Sequence, residues 1–344
     1  MSEKMDLLGM TISELSFVLA DINEKPYRAK QIYDWLHNKQ IFDIDKMANI
    51  PNKIKNYISD NFDINIMKKE LVHLSGDNKT KKYLLKCTDD ELIEVVLLSY
   101  RYGNSLCISS QVGCNMGCAF CASTVGGKVR NLKASEMLSQ IYTVNSLIND
   151  RVSHIVVMGM GEPLDNFDNF VKFVIILTDE KGYNLSRRNI TVSTCGIVPK
   201  IYELADLNLG VTLAISLHCV FDEKRQSIMP VAKKYSIGEI IDAAKYYFQK
   251  TKRRLTLEYS LINGFNDGKN DAKKLAEIAK ELRAHINLIP VNRIDGNNFD
   301  APSKKTVYEF KEQLEKLHTN ATIRRSIGDD IAASCGQLKK RHLS

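Results

Sequence analysis

Three cysteines fall within eight residues, in the run Gly113-Cys-Asn-Met-Gly-Cys-Ala-Phe-Cys121. Cys114, Cys118 and Cys121 therefore form a C-x3-C-x2-C pattern on what must be one tight loop. Soft thiolate donors suit a cubane iron–sulfur cluster or zinc. A structural zinc site or an electron-transfer cluster usually takes a fourth protein ligand, and no Cys or His lies at short spacing after Cys121. An incomplete set leaves one iron open for chemistry. The spacing also allows a zinc site completed by a distant Cys or His, or a disulfide with a spare thiol. The last of these fits a reducing compartment least well.

A second group of residues recurs at strand ends. The run Met158-Gly-Met-Gly-Glu-Pro163 directly follows an apolar stretch. Its glycines, Gly161 among them, would let a ligand approach the backbone, and Glu162 could bind an ammonium group. An ordinary strand-to-helix turn, with an acidic residue near the helix start, has the same appearance. Ser193 ends the next apolar run, Ser216-Leu217-His218 the one after, and Asn292 follows the last. Each alone reads as a capping or turn residue. Polar groups at one strand end after another point instead to a bound ligand.

The elements that would position these groups follow from periodicity. Residues 1–65 read as a small helical module, with Ile32, Trp35 and Leu36 spaced for one helix face and a break at Pro51-Asn52. Residues 82–87, 91–98 and 105–109 read as short strands, separated by turns at 88–90 and 102–104. Further strands are expected at 154–158, 189–193, 210–216, 255–260 and 285–289. Helical stretches lie between them, clearest in Ala272, Leu275, Ala276, Ala279 and Leu282. Alternating strand and helix implies a parallel sheet with crossover helices. Five or six such units suggest an α/β fold built as a partial TIM-like barrel, whose ligands gather at the C-terminal strand ends. The chain divides on this reading into a helical accessory domain (1–65), a β extension (66–110) and the barrel with its C-terminal segment (111–344).

The chain has 344 residues, 44% of them apolar, enough for a large core. No apolar run approaches the roughly 18–20 residues of a membrane span, and the N-terminus lacks a signal-like core. A cytoplasmic, non-membrane protein is expected. The net charge of +7 is uneven: residues 1–100 carry 14 Lys/Arg and 16 Asp/Glu, the remainder 34 and 25. Small basic clusters recur at Lys128, Arg130 and Lys133, at Arg187-Arg188, at 250–254, at Arg324-Arg325 and at 339–341. They fit either an anionic partner such as RNA or a solvated surface.

The cysteine run resembles the signature of the radical S-adenosylmethionine (SAM) superfamily, including the aromatic Phe120 before the last cysteine. That resemblance implies a 4Fe–4S cluster on Cys114, Cys118 and Cys121, with the amino and carboxylate groups of SAM on the open iron. An electron from the cluster then splits SAM to give a 5′-deoxyadenosyl radical. It also implies that Gly161 and Glu162 grip the amino end of SAM, and that Ser193, Ser216, Leu217, His218 and Asn292 contact the rest.

Two further stretches, Ser105-Leu-Cys-Ile-Ser-Ser-Gln-Val-Gly-Cys114 and Ile323-Arg-Arg-Ser … Ser334-Cys-Gly-Gln-Leu338, resemble the RNA adenine methyltransferases of the RlmN type and their Cfr-type relatives. The similarity runs nearly end to end. It implies that Cys335 takes a methyl group from one SAM and that a second SAM generates the radical that activates it. The resulting methylene adds to an adenine ring carbon. Glu94 then removes the ring proton, and Cys107 attacks Cys335 to release the product and leave a disulfide. Implied partners are 23S rRNA, tRNA (at the adenosine 3′ of the anticodon) and an electron donor such as flavodoxin or ferredoxin, with the enzyme a monomer.

The residues themselves leave more open. Cys335 sits in a small, polar stretch suited to a mobile segment, though a structural thiol is the alternative. Cys107 alternates with Leu106 and Ile108 and on spacing alone reads as a core residue. Glu94 shares a strand face with Leu92, Val96 and Leu98. It fits either a general base among apolar neighbours or a glutamate paired with a lysine on an exposed edge. Gly161-Glu-Pro163 and Thr194-Cys-Gly196 favour the carbon-2 branch of the family. The alternatives are carbon-8 methylation and a non-catalytic RNA-binding metal protein.

Overall fold

In the computed structural model, which describes residues 4–76, 78–294, 299–324 and 328–338, ten strands form one sheet. In chain order they are β1 (Lys68–Leu74), β2 (Thr80–Lys86), β3 (Leu92–Tyr100), β4 (Gly103–Ile108), β5 (Val152–Val157), β6 (Ile190–Thr194), β7 (Thr212–Ser216), β8 (Leu255–Leu261), β9 (His285–Pro290) and β10 (Ala321–Ile323). Each strand pairs with its sequence neighbours, so spatial order and chain order coincide. β1 to β4 run antiparallel, and β4 to β10 run parallel. The parallel half must be wound by crossover helices. These are α4 (Ala134–Ile148), α5 (Phe167–Thr178), α6 (Val198–Leu207), α8 (Ile237–Thr251), α9 (Lys269–Leu282) and α10 (Lys304–Lys316), with the short α7 (Asp222–Ile228) before α8. The result is the expected α/β partial barrel, with β4 serving as its first strand.

The helices follow their sequence patterns. On α9, Ala272, Leu275, Ala276, Ala279 and Leu282 are all buried, as their spacing requires. Ser236 and Glu239 form a capping box that starts α8.

Ahead of the sheet, α1 (Ile12–Ala20), α2 (Pro26–Tyr33) and α3 (Asn52–Asn61) form the N-terminal module. The helix expected through Trp35 and Leu36 does not stay α-helical: α2 passes into a π-turn at Asp34–Asn38. The wider turn sets His37, fully buried, against α4, where its Nδ1 lies 2.8 Å from the Tyr142 hydroxyl. Tyr33 donates to the Ile176 carbonyl at 3.3 Å, and Lys172 pairs with Glu14 at 2.7 Å. One apolar core runs continuously from the module into the barrel. A second, smaller apolar cluster at the C-terminal strand ends includes Phe120, Cys195, Met229 and Val291. Among the described residues no helix is long and apolar enough to cross a membrane.

Candidate functional site

The cysteine loop leaves the C-terminal end of β4, where a partial barrel gathers its ligands. Its base is clamped by Gln140 of α4, which accepts from the Ser109 amide at 2.8 Å and donates to the Ser109 carbonyl at 3.0 Å. Cys114, Cys118 and Cys121 all line one cavity. Burial pushes the Cys114 thiol up to about 12 and raises Cys118 and Cys121 as well, with the neighbouring sulfurs adding to the shift at Cys118. Thiols so placed stay protonated until metal displaces the proton. Among the described residues no group of three or more His, Cys, Asp or Glu closes on a single ion. Three soft donors on one loop match a cluster in which each thiolate serves a different iron.

The rest of that cavity is built from strand ends. Gly161 has φ +99°, and a Cβ there would lie 2.6 Å from Cβ of Gln111. Glycine is thus required by the fold itself, because Gln111 Oε1 accepts from the next amide, Glu162, at 2.9 Å. Glu162 lines the cavity, yet both of its oxygens already accept backbone amides, from Cys195 at 2.8 Å and Leu164 at 3.0 Å. Burial raises its pKa, and those two amides pull against the rise. Ser193 and Ser216 face each other across β6 and β7 with their hydroxyls 3.1 Å apart. His218 accepts from the Ser260 amide through Nδ1 at 3.0 Å, and burial lowers its pKa to about 3. It is therefore a neutral imidazole with its proton on Nε2. Phe120 meets its ring edge-on, centroids 4.8 Å apart. Asn292 is on the wall too, whereas the Leu217 side chain is turned into the main core and does not line the cavity.

A second cavity adjoins the first, sharing Cys121, Met158, Asn292, Arg324 and Cys335. Its far wall carries Cys107 and Tyr100. Cys335, from the chain's other end, thus stands between the cysteine loop and Cys107. All eight cysteines are free thiols. Burial, reinforced by Cys335, pushes the Cys107 thiol up to about 12, and Arg324 opposes the shift. The segment around Cys335 is docked: the Ala122 amide donates to the Gly336 carbonyl at 2.7 Å, Ser123 to Leu338 at 2.7 Å, and Ser75 to Asp330 at 2.9 Å.

Glu94 is buried on the face that carries Val96, which is in register with Cys107. It lines neither cavity. Its Oε1 lies 3.3 Å from Lys82 Nζ, and both side chains are almost fully buried. The lysine pair foreseen for an exposed strand edge is present, but inside the protein.

Three residues escaped the sequence reading. Glu258 is buried on the cavity wall, where Asn287 donates to its Oε1 at 2.9 Å. Its Oε2 makes no hydrogen bond among the described residues and is faced only by the Arg324 guanidinium at 3.6 Å; burial raises its pKa and Arg324 opposes the rise. Arg324, which as part of a basic cluster fitted either an anionic partner or a solvated surface, turns inward to within 3.6 Å of Glu258. Arg225 is wholly buried and ties two strand-end loops together, donating to Cys195 at 2.6 Å and to Leu217 at 3.1 Å. No local pattern separates a buried arginine from a solvated one in the charged run 222–225. Of the other basic clusters, Lys128 and Arg130 are neutralised by Asp165, Asp89 and Glu136. Arg325 and residues 339–341 lie outside the described residues.

Residues 5–64 match the ribosomal RNA large subunit methyltransferase N-terminal domain, and residues 108–294 match the radical SAM superfamily. A probable dual-specificity RNA methyltransferase RlmN of Lachnospira eligens is 48% identical over 338 residues, 98% of this chain and 97% of that protein. The chain belongs to the RlmN family of radical SAM methyltransferases. An RlmN of Clostridium botulinum is likewise 48% identical, over 98% of this chain and 99% of its own. The crystal structure of a radical SAM methyltransferase from Sphaerobacter thermophilus superimposes with a TM-score of 0.92 at 38% identity, covering 97% of this chain and 99% of that one. As an RlmN-family enzyme the chain is a methyltransferase that uses SAM and an iron–sulfur cluster and acts on RNA. The three-thiol loop and the polar cavity fit both groups.

Proposed function

We propose that this enzyme methylates carbon 2 of an adenosine in 23S rRNA and in tRNA, in the cytoplasm, with an electron donor such as flavodoxin or ferredoxin. The observation that carries the reading is the position of Cys335 on the shared wall of two cavities. One cavity holds the cysteine loop and the strand-end polar groups; the other holds Cys107.

Cys114, Cys118 and Cys121 would hold a 4Fe–4S cluster, with Gly161, Glu162, Ser193, Ser216, His218 and Asn292 around SAM. When bound, these groups supply the electron, the methyl group and the radical chemistry. The protein's own residues do the rest. An adenine ring carbon is too electron-poor to take a methyl group by displacement, so the thiol of Cys335 accepts it first. The ring carbon is joined through that methyl carbon to Cys335, and Glu94 then takes the ring proton. The Cys107 thiolate, favoured by Arg324 beside it, attacks the sulfur of Cys335; the S–S bond forms, the sulfur–carbon bond breaks with its electron pair going to the methyl carbon, and that carbon takes up a proton as the methylated product leaves. The N-terminal helical module serves as an accessory RNA-binding unit.

The test is an anaerobic reaction of reconstituted enzyme, reductant, methyl-deuterated SAM and unmodified 23S rRNA or tRNA, read by nucleoside mass spectrometry. The expected product is 2-methyladenosine retaining two of three deuteriums. The 8-methyl isomer would move the enzyme to the carbon-8 branch. Absence of both would overturn the reading.

A further inference from the structure

Glu94 is not alone on its strand face. Lys82 on β2 stands in register with Val96, and Glu94 in register with Leu84, so the two charged side chains are diagonal neighbours on one face. Their ion pair of 3.3 Å is shielded almost completely from water. Pairs of this kind add little net stability compared with apolar residues of the same size, so stability does not account for this one. The Lys82 ammonium makes a second contact, donating to the Ala332 carbonyl at 3.0 Å. Ala332 lies three residues before Cys335 and has φ +49°, a left-handed conformation unfavourable for alanine. Thr80, the next residue on the same face of β2, packs against this segment at Gly328. The segment that presents Cys335 therefore lies across the face bearing Lys82 and Glu94.

We propose that Lys82 is a positioning residue for the proton-abstraction step, its ammonium tying the Glu94 carboxylate to the segment that carries Cys335. This rests on the reading of Glu94 as the proton acceptor. The substrate carbon is bonded through Cys335 when its proton must leave. An ammonium shared between Glu94 and the Cys335 segment fixes the acceptor relative to that carbon. The proton passes from the ring carbon to a Glu94 oxygen, and its bonding electrons stay with the ring. Lys82 itself neither gains nor loses a proton.

The experiment follows one turnover of the anaerobic holoenzyme with SAM, reductant and tRNA. It reads methyl on Cys335 by peptide mass and the lifetime of the covalent enzyme–RNA adduct on a denaturing gel. In Lys82→Met, Cys335 should be methylated to the normal extent while release of the adduct slows at least ~10-fold, as a misplaced general base predicts. Lys82→Arg should restore release to within about threefold of the native rate, since guanidinium keeps the charge and its donors. The double variant Lys82→Met/Glu94→Gln should release no more slowly than Glu94→Gln alone, because residues acting as one unit do not add. Lys82→Gln, which keeps a donor without the charge, carries the same expectation as Lys82→Met if the latter does not fold. Release at the native rate in both neutral variants, additive losses in the double variant, or loss of Cys335 methylation would each overturn the proposal. Native release in Glu94→Gln would instead remove Glu94 as the base.

Discussion

The side-chain amide of Asn292 donates a 2.9 Å hydrogen bond to the backbone carbonyl of Cys335. Asn292 follows β9 and lines both cavities, so a residue expected at SAM also holds Cys335, the proposed methyl acceptor. A hydrogen bond of this kind contributes about 1 kcal/mol, or roughly fivefold in a rate that depends on it. Asn292→Ala should slow methylation of Cys335 by about that factor while leaving the iron content unchanged. Time-resolved peptide mass of the Cys335 fragment checks this. An unchanged rate at saturating SAM would confine Asn292 to cofactor binding.

The cysteines separate by step. Cys118→Ala should lose bound iron and SAM cleavage together, since a two-thiol loop cannot hold the cluster. Cys335→Ala should keep its iron and never methylate RNA. Cys107→Ala should accumulate an enzyme–RNA adduct that ribonuclease removes, because apart from Cys335 itself the second cavity's described wall offers no other thiol than Cys121, which is proposed to be tied up by the cluster. Iron analysis and denaturing gels distinguish the three, and a Cys118→Ala protein that still turned over would sink the cluster assignment.

How far the sequence reached depends on what each residue's neighbours are. Strands β5 to β9 were legible because their apolar runs are buried and bounded by turns. β1 was not, since nearly every residue along it is exposed and no alternation marks a buried face. β10 has only three residues, too few for any period. The three-cysteine loop was legible as local spacing. Lys82, Glu258 and Arg324 were not, because their roles come from partners 12 to 250 residues away, on other strands or on the C-terminal segment. Cys107 read as core on its spacing, yet it is only partly buried and lines the second cavity; the role proposed for it comes from Cys335 on the adjoining wall, which no local pattern could show. The π-turn at His37 also escaped, because its residues have ordinary helical spacing.

Gly336 follows Cys335, the proposed methyl acceptor, with φ +81°, and a Cβ there would lie 3.1 Å from the Phe120 carbonyl oxygen. Its own carbonyl accepts from the Ala122 amide at 2.7 Å, pressing the Cys335 segment onto the cysteine loop. Gly336→Ala meets a conformational cost of about 1–2 kcal/mol together with that close contact. The segment should lift from the loop. The expected result is a protein with normal iron content and at least ~10-fold slower Cys335 methylation. Native methylation by the alanine variant would show that this backbone approach does not matter to the transfer.

His37 links the N-terminal module to the pH dependence of stability. Its ring is fully buried beside Tyr142, its Nε2 has no partner among the described residues, and burial lowers its pKa from 6.5 to about 3. The folded protein therefore keeps His37 neutral where the unfolded chain would protonate it. Stability from this group is complete above pH 6.5 and is lost as pH falls from there toward 3, because the unfolded state binds the extra proton. Between pH 7 and pH 5 the loss is about 2 kcal/mol. His37→Gln cannot titrate and keeps a polar group for the Tyr142 hydroxyl. Its unfolding free energy, measured by denaturant titration at both pH values, should fall by about 2 kcal/mol less than that of the native protein over the same interval. Equal losses in the two proteins would mean that His37 is accessible to protons in the folded state and that the module is not closed over it.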